Sequence, residues 1–175
     1  MDGVLDKNET RNMLKGQLGE QNCDSFKKLD SVLLHDNKDM FEKLKAMLKT
    51  YSSQNVRLEL LFRASRDQCE PETFKEKVAG KRKTVTILTT HVGDIFGGYM
   101  DAAYDPSFNG YKADPKSFLF SLTKNEKYSI KNSDRAQFYD ETNKRAILLF
   151  GGDDLTLESG CIGNSYNFGE DYQLP

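Results

Sequence analysis

The segments TVTIL at residues 84–88 and IFGGY at residues 95–99 decide the fold class of this 175-residue chain. Both segments are rich in β-branched and aromatic residues, which favour strands, and HVGD at residues 91–94 supplies turn residues between them. The pattern predicts a β-hairpin.

Further strands are predicted on both sides of this hairpin. SFLFSL at residues 117–122 and LTLE at residues 155–158 have alternating patterns, and AILLF at residues 146–150 is an apolar run of strand length. Residues 57–62 read as a strand-like start. Several short strands separated by Gly, Pro and Asn predict an α+β fold of two antiparallel β-sheets packed as a sandwich, with peripheral helices.

Helical signals precede the strands. Pro71 suits the first turn of a helix and Gly80 lies just past its end, so a helix is predicted between them. Residues 25–51 carry apolar residues mostly three and four apart, and Asn37 is a candidate cap if residues 35–37 break this helix in two. The apolar stripe consists of Phe26, Leu29, Leu33, Met40, Leu44, Met47 and Tyr51.

The stripe leaves two alternatives open for the N-terminal segment. Either it packs within its own chain, or it pairs between chains as a coiled coil and forms a homo-oligomer through residues 25–51. The sequence predicts a polar lead, frayed or disordered, at residues 1–24. A helical or coiled-coil segment with a linker follows at residues 25–54, and a folded domain at residues 55–175.

Composition excludes several classes of protein. With 25 Lys and Arg against 27 Asp and Glu, the net charge of -2 gives no general attraction to nucleic acid or to anionic lipid. No run approaches the ~20 apolar residues of a membrane span, and the start lacks the pattern of a signal peptide. The three cysteines, odd in number and far apart, argue against a disulfide framework, so we expect a soluble, cytoplasmic protein.

The order of the short motifs, more than any one of them, resembles a TLDc domain from about Leu58 to the end of the chain. LFRASRD at residues 61–67 is similar to the opening of that domain, FGGY at residues 96–99 to its glycine-bearing strand, and FGGDDL at residues 150–155 to its late glycine turn. The residues that match the family motifs are Arg63, Ser65, Arg66, Asp67, Phe96, Gly97, Gly98, Ser117, Phe118, Phe120, Ser121, Gly151, Gly152, Asp154, Asn164 and Ser165.

The resemblance implies a protein linked to resistance against oxidative stress. In several relatives it also implies binding to the vacuolar proton-pumping ATPase and an influence on its assembly. Family members usually continue beyond the position of Pro175 with one more strand, so the resemblance implies a domain that lacks its usual last strand. A second departure is Cys-Glu-Pro at residues 69–71, in place of a small turn.

Candidate catalytic groups are few. His35 and His91 have no second ligand at a metal-binding spacing, and neither a Gly-x-Ser-x-Gly elbow nor a phosphate loop occurs, so no metal, cofactor or enzymatic activity is expected. A hydrolytic enzyme is an alternative that requires Ser65 or Ser117 to be bonded to a base in a cleft. Cys69, close to Arg66, is a candidate thiol for direct scavenging of oxidants.

Charge is distributed in two poles. Residues 151–175 contain no Lys or Arg and are predicted to form a solvated acidic surface with Asp153, Asp154, Glu158, Glu170 and Asp171. The basic pole consists of Lys75, Lys77, Lys81, Arg82 and Lys83, and a patch of this size can steer an acidic partner. The leading interpretation is a non-enzymatic protein-interaction module, with an oligomeric scaffold protein as the alternative.

Overall fold

The computed structural model describes residues 33–34, 37–49, 58–139, 146–152, 154–158, 165–166 and 171–173. The chain divides into two compact units, Met1–Leu60 and Leu61–Pro175. The polar lead predicted at residues 1–24 lies outside the described residues, as do Phe26, Leu29 and Tyr51 of the predicted apolar stripe.

Helix α1 (Lys38–Lys49) is the main described element of the first unit. The predicted cap is confirmed, because the side-chain oxygen Oδ1 of Asn37 accepts a hydrogen bond from the backbone N–H of Met40 over 3.2 Å. Phe41, Leu44 and Leu48 form the buried face of the helix. An ion pair between Lys43 and Asp39, one turn apart, lies on the helix surface.

The second unit begins with an irregular segment and two short helices, α2 (Ala64–Asp67) and α3 (Pro71–Val78). Helix α3 confirms the prediction: Pro71 occupies its first turn, and Gly80 follows its end with a positive φ of 71°. The strand predicted at residues 57–62 is wrong over its described part, because residues 58–63 have no regular structure. The ring of Phe62 instead packs edge-on against Phe74, with ring centroids 5.3 Å apart.

Within the described residues, the two sheets of the second unit contain nine strands. In chain order they are β1 (Thr84–Thr89), β2 (Ile95–Met100), β3 (Gly110–Lys112), β4 (Phe118–Ser121), β5 (Glu126–Ser129), β6 (Gln137–Tyr139), β7 (Ala146–Phe150), β8 (Leu155–Glu158) and β9 (Ser165–Tyr166). The first sheet has the strand order β1-β2-β4-β5 and the second the order β3-β6-β7-β8-β9. All described pairings are antiparallel, and the predicted hairpin is confirmed by the pairing of β1 with β2.

The two sheets bury one common core, as the predicted sandwich requires. Gly98 of the first sheet faces the ring of Phe150 of the second so closely that a Cβ at Gly98 would overlap the ring. The core cluster draws on helix α3 and both sheets: Phe74, Val78, Met100, Tyr104, Leu119, Tyr128, Tyr139, Leu148, Phe150, Leu155, Leu157 and Tyr172. The predicted fold class, α+β with two packed antiparallel sheets, is therefore confirmed for this unit.

The segment at residues 171–173 pairs with the chain just beyond β5. Tyr172 forms a bridge with Ile130, and the N–H groups of Lys131 and Gln173 donate to the carbonyls of Asp171 and Ser129, each over 2.8 Å. This edge of the first sheet is thus paired by the chain itself. In the described part of the chain, no helix is long and apolar enough to cross a membrane.

Candidate functional site

The turn between β7 and β8, part of the FGGDDL motif, is bonded to the segment at residues 171–173. Gly151 has a positive φ of 63°, and a Cβ there would overlap the carboxylate of Asp154, so only glycine fits. The N–H of Gly152 donates to Oδ2 of Asp171, and the N–H of Asp171 donates to Oδ2 of Asp154, both over 2.9 Å. The two carboxylates therefore hold residues 151–154 and the segment at residues 171–173 together.

This arrangement corrects the predicted acidic surface. Asp154 and Asp171 are buried, with 0% and 2% of their surface exposed, whereas solvated positions were expected. Burial is tolerated because backbone N–H groups donate to both carboxylates and because Arg135 lies 3.7 Å from Oδ1 of Asp171. Glu158 is half-buried, and Asp153 and Glu170 lie outside the described residues.

Arg135 also connects this buried cluster to the surface. Its Nη2 donates to the hydroxyl of Tyr111 over 2.6 Å, and its guanidinium lies 4.4 Å from the centroid of the Tyr111 ring. Tyr111 is 40% exposed and lies on β3, an outer strand of the second sheet. Tyr111 and Arg135 thus form one partly exposed aromatic and cationic pair on this face of the sheet.

Asp114 is a third buried carboxylate that stabilises the fold. Its Oδ2 accepts hydrogen bonds from the N–H groups of Asp101 and Ala102 and from Nε2 of Gln137, over 2.8 to 2.9 Å. Oε1 of Gln137 in turn accepts from the hydroxyl of Tyr139. Asp114 therefore joins the end of β2 to β6, a role that the sequence analysis missed because nothing in the local pattern distinguishes it from a turn aspartate.

Ser117 tests the hydrolase alternative. Its hydroxyl bonds to the carbonyl of Asp114 and to the hydroxyl of Tyr172, each over 2.9 Å. Burial raises the pKa of Tyr172, so this phenol stays protonated and cannot act as a base. Ser65 is exposed on α2. The base that a nucleophilic Ser117 requires is not among these partners.

The LFRASRD motif forms a small charged clamp at helix α2. Arg66 binds the carboxylate of Asp67 through two nitrogens, over 2.7 and 2.8 Å, and the N–H of Arg63 donates to the same carboxylate over 2.8 Å. Lys77 of helix α3 lies 3.4 Å from it. The hydrogen bond from Arg66 is the largest cause of the lowered pKa of Asp67. The motif thus fixes the connection between α2 and α3.

Cys69 differs from the prediction. It is disulfide-bonded, so the expected free thiol, and with it direct scavenging by that thiol, is wrong for this state of the protein. The number and spacing of the cysteines therefore no longer indicate a reducing compartment such as the cytoplasm.

The remaining motif residues are mostly parts of the first sheet. Phe118 and Phe120 are buried, Phe96 packs against the core, and Gly97 faces the carbonyl of Thr86 so closely that a Cβ would overlap it. The hydroxyl of Ser121 accepts from the N–H of Lys124. Ser165 lies on β9, and Asn164 lies outside the described residues.

The predicted oligomerisation stripe is only partly described. Leu44 is fully buried, whereas Leu33, Met40 and Met47 are half-buried. Phe26, Leu29 and Tyr51 lie outside the described residues, as does His35, while His91 is exposed in the β1–β2 turn. Within the described ranges, no group of three or more His, Cys, Asp or Glu side chains could hold a metal ion.

The comparison with protein families agrees with the sequence motifs and extends them. The sequence model of the TLDc domain matches residues 30–174 of the 175, so the match includes α1 and begins ahead of Leu58, where the resemblance of the short motifs starts. No curated protein matches the chain. Because the family match covers most of its length, the chain belongs to the TLDc domain family.

Proposed function

We propose that this chain is a non-enzymatic protein-interaction domain that acts in resistance to oxidative stress, by binding a subunit of the vacuolar proton-pumping ATPase. The observation that carries the proposal is the use of the polar residues in the motifs and of the buried carboxylates. Asp67, Asp114, Asp154, Asp171 and Ser117 bond to backbone groups or to neighbouring side chains of the domain itself. Because these side chains stabilise the fold, we infer that the function depends on the surface of the domain and not on a reaction centre.

The surface supports binding in two places. The exposed Tyr111 beside Arg135 offers an aromatic and cationic contact, and exposed Lys81, Arg82 and Lys83 supply positive charge. The proposal places the protein in the cytoplasm. Disulfides of cytosolic proteins are usually transient or redox-sensing, so we expect the Cys69 disulfide to form and break with the oxidation state of the cell.

A pull-down tests this function. The full chain, immobilised and incubated with lysate that contains vacuolar membranes, is expected to retain an ATPase subunit at low salt and to lose most of it at high salt, because rim charges guide such encounters. The variant Tyr111→Ala should retain at least about fivefold less. A control, Val92→Ala, truncates another exposed large side chain, in the β1–β2 turn. Absence of every ATPase subunit at low salt would remove this partner from the proposal.

A further inference from the structure

Strand β1 is an outer strand of the first sheet. In the described structure it pairs with β2 on one side only, over six residues from Thr84↔Met100 to Thr89↔Ile95. An outer strand presents alternate N–H and C=O groups away from the sheet, where another chain can pair with them. The side of β1 away from β2 is therefore a candidate docking edge.

The register identifies which residues of β1 face outward. The N–H of Leu122 donates to the carbonyl of Ile95, so the odd-numbered residues of β2 bond toward β4. The even-numbered residues of β2 consequently bond toward β1, in agreement with the bond from the N–H of Thr90 to the carbonyl of Asp94. It follows that the N–H and C=O groups of Val85, Ile87 and Thr89 point away from β2, toward the open edge of the sheet.

The sequence of β1 and its described pairing lack the features that usually prevent a further strand from pairing. Proteins protect outer strands with charged side chains, proline, bulges or very short length. The strand TVTILT contains no charge and no proline, pairs with β2 in a continuous register, and is half-buried along residues 84–88. The opposite outer strand of this sheet, β5, carries Glu126 and Lys127 and is followed by the paired segment at residues 171–173.

The chain immediately before β1 is strongly basic. Lys81, Arg82 and Lys83 are all exposed, and the side chain of Arg82, 64% exposed, lies 3.7 Å from Asp101. Lys81 and Lys83 have no ion-pair partner in the part of the chain that the structure describes. Positive charge is thus concentrated at the N-terminal end of the open edge, while Asp94 is exposed near the other end.

We propose that the free edge of β1 binds an extended segment of a partner protein as an added antiparallel strand, with acidic residues at the C-terminal end of that segment. An antiparallel strand places its C-terminal end beside the N-terminal end of β1, where Lys81, Arg82 and Lys83 lie. Backbone hydrogen bonds to Val85, Ile87 and Thr89 would supply affinity, and the charges would set direction. This inference rests on the proposed function, since it assumes that the domain acts by binding a protein.

Two labelled peptides test the direction of binding. The first has the sequence Thr-Val-Thr-Val-Thr-Glu-Glu-Glu, and the second has the same composition with the three glutamates at the N-terminal end. Fluorescence anisotropy with the full chain is expected to show about tenfold tighter binding of the first peptide. Equal binding of both peptides would reduce the interaction to unspecific charge attraction, and no binding of either would overturn the proposal.

Amide hydrogen exchange followed by NMR locates the bound peptide. In the free chain the amides of Val85, Ile87 and Thr89 should exchange fast and those of Thr86 and Leu88 slowly, because only the latter bond to β2. The peptide should slow the exchange of the three outward amides at least about tenfold and leave the exchange of the Thr86 and Leu88 amides unchanged. Slow exchange of Val85, Ile87 and Thr89 without peptide would mean that the edge is already occupied, by this chain or by a second copy, and would overturn the proposal.

Variants separate the edge from the charges. Thr89→Pro removes one outward N–H without touching a bond to β2, and should weaken binding at least about fivefold while the slow amides stay slow. The double variant Lys81→Glu with Lys83→Glu should weaken binding of the first peptide about tenfold and abolish the preference for it over the second. The matched control, Lys38→Glu with Lys124→Glu, makes the same change in net charge at exposed positions elsewhere.

The outcome can be separated from that of the proposed function. If these variants lose the peptide but still retain the ATPase subunit in the pull-down, the edge is not the surface that binds this partner, and the proposed function stands. If the peptide binds as expected and no ATPase subunit is retained, the docking edge stands and the partner is another protein with an acidic extended segment.

Discussion

At the scale of the residue, the contact between Gly98 and Phe150 shows why a glycine pair interrupts an apolar strand. A hydrogen atom at Gly98 leaves room for the Phe150 ring, which is 1% exposed and lies between the two sheets. A glycine pair such as that in FGGY is typical of a bulge or a close backbone approach in a strand. The identity of the opposite residue could not be predicted, since it lies more than 50 positions away and comes from the other sheet.

The variant Gly98→Ala should therefore destabilise the fold through overlap of its methyl group with the Phe150 ring. We expect a loss of about 3 kcal/mol in the free energy of unfolding, measured by urea denaturation. Phe150→Leu in the same chain makes space for the methyl group, so the double variant should be less destabilised than the sum of the single variants. Simple additivity of the two effects would contradict this contact.

The burial of carboxylates such as Asp114 and Asp154 could likewise not be predicted from neighbouring residues in the sequence. Asp154 was placed in the family motif and Asp114 was not, yet both are buried and bonded to backbone N–H groups. Exposure was expected for Asp154 because its neighbours in the sequence are acidic. The groups that make burial of this cluster tolerable lie elsewhere in the sequence. The N–H of Asp171 donates to Asp154, and Arg135 lies 3.7 Å from Asp171, so no local pattern could reveal them.

At the scale of the element, predictions succeeded where the local pattern was strong. Strands β1, β2, β4, β7 and β8 and helix α3 follow from apolar alternation, apolar runs or a proline start. Strands β3, β5 and β6 were not predicted, because GYK, EKYS and QFY are short and partly polar. Such segments become strands only because a partner strand is in place, which is a property of the tertiary fold.

Helix α1 illustrates the opposite case, in which a clear pattern left its packing partner undetermined. Its stripe was compatible with a coiled coil between chains, but the side chains of Phe41, Leu44 and Leu48 are buried within a single chain. Because this apolar face is already buried, pairing with a second copy of the chain would bury little additional apolar surface there. We therefore expect the full chain to sediment as a monomer.

The variant Leu44→Asp tests this interpretation. Placing a charge at a fully buried position should cost about 4 kcal/mol of stability, because no partner compensates it. Ala46→Asp, at an exposed position of the same helix, is the control and should change stability by less than about 0.5 kcal/mol. A wild-type oligomer that Leu44→Asp converts into a folded monomer of unchanged stability would instead support the coiled coil.

At the scale of the whole molecule, buried tyrosines make the stability of the sandwich depend on pH. Tyr104, Tyr128, Tyr139 and Tyr172 all belong to the core cluster, and the rings of Tyr104 and Tyr139 lie 5.2 Å apart. Burial raises the pKa of Tyr104 to about 12. It also raises the pKa of Tyr128 to about 12, with a smaller contribution from the hydrogen bond to Glu126. The pKa values of Tyr139 and Tyr172 are raised further, again chiefly by burial.

These shifts predict a loss of stability at alkaline pH. A tyrosine in the unfolded chain ionises near pH 10, whereas these four remain neutral in the folded chain until a higher pH. Their contribution to stability is therefore complete below about pH 10 and is lost progressively as the pH rises through about 12. The free energy of unfolding from urea titrations should fall steeply between pH 10 and 12, and Tyr104→Phe should make this fall less steep.

Absorbance at 295 nm, which reports tyrosinate, distinguishes this mechanism from a general effect of alkali. In the folded protein, part of the eight tyrosines should ionise only together with the loss of the circular dichroism signal, because burial keeps the four core phenols neutral until the fold opens. In 6 M guanidinium all eight should titrate in one step near pH 10. Ionisation of all eight near pH 10 with an intact circular dichroism signal would mean that water reaches the centre of the sandwich, and the close packing inferred from Gly98 and Phe150 would then fail as well.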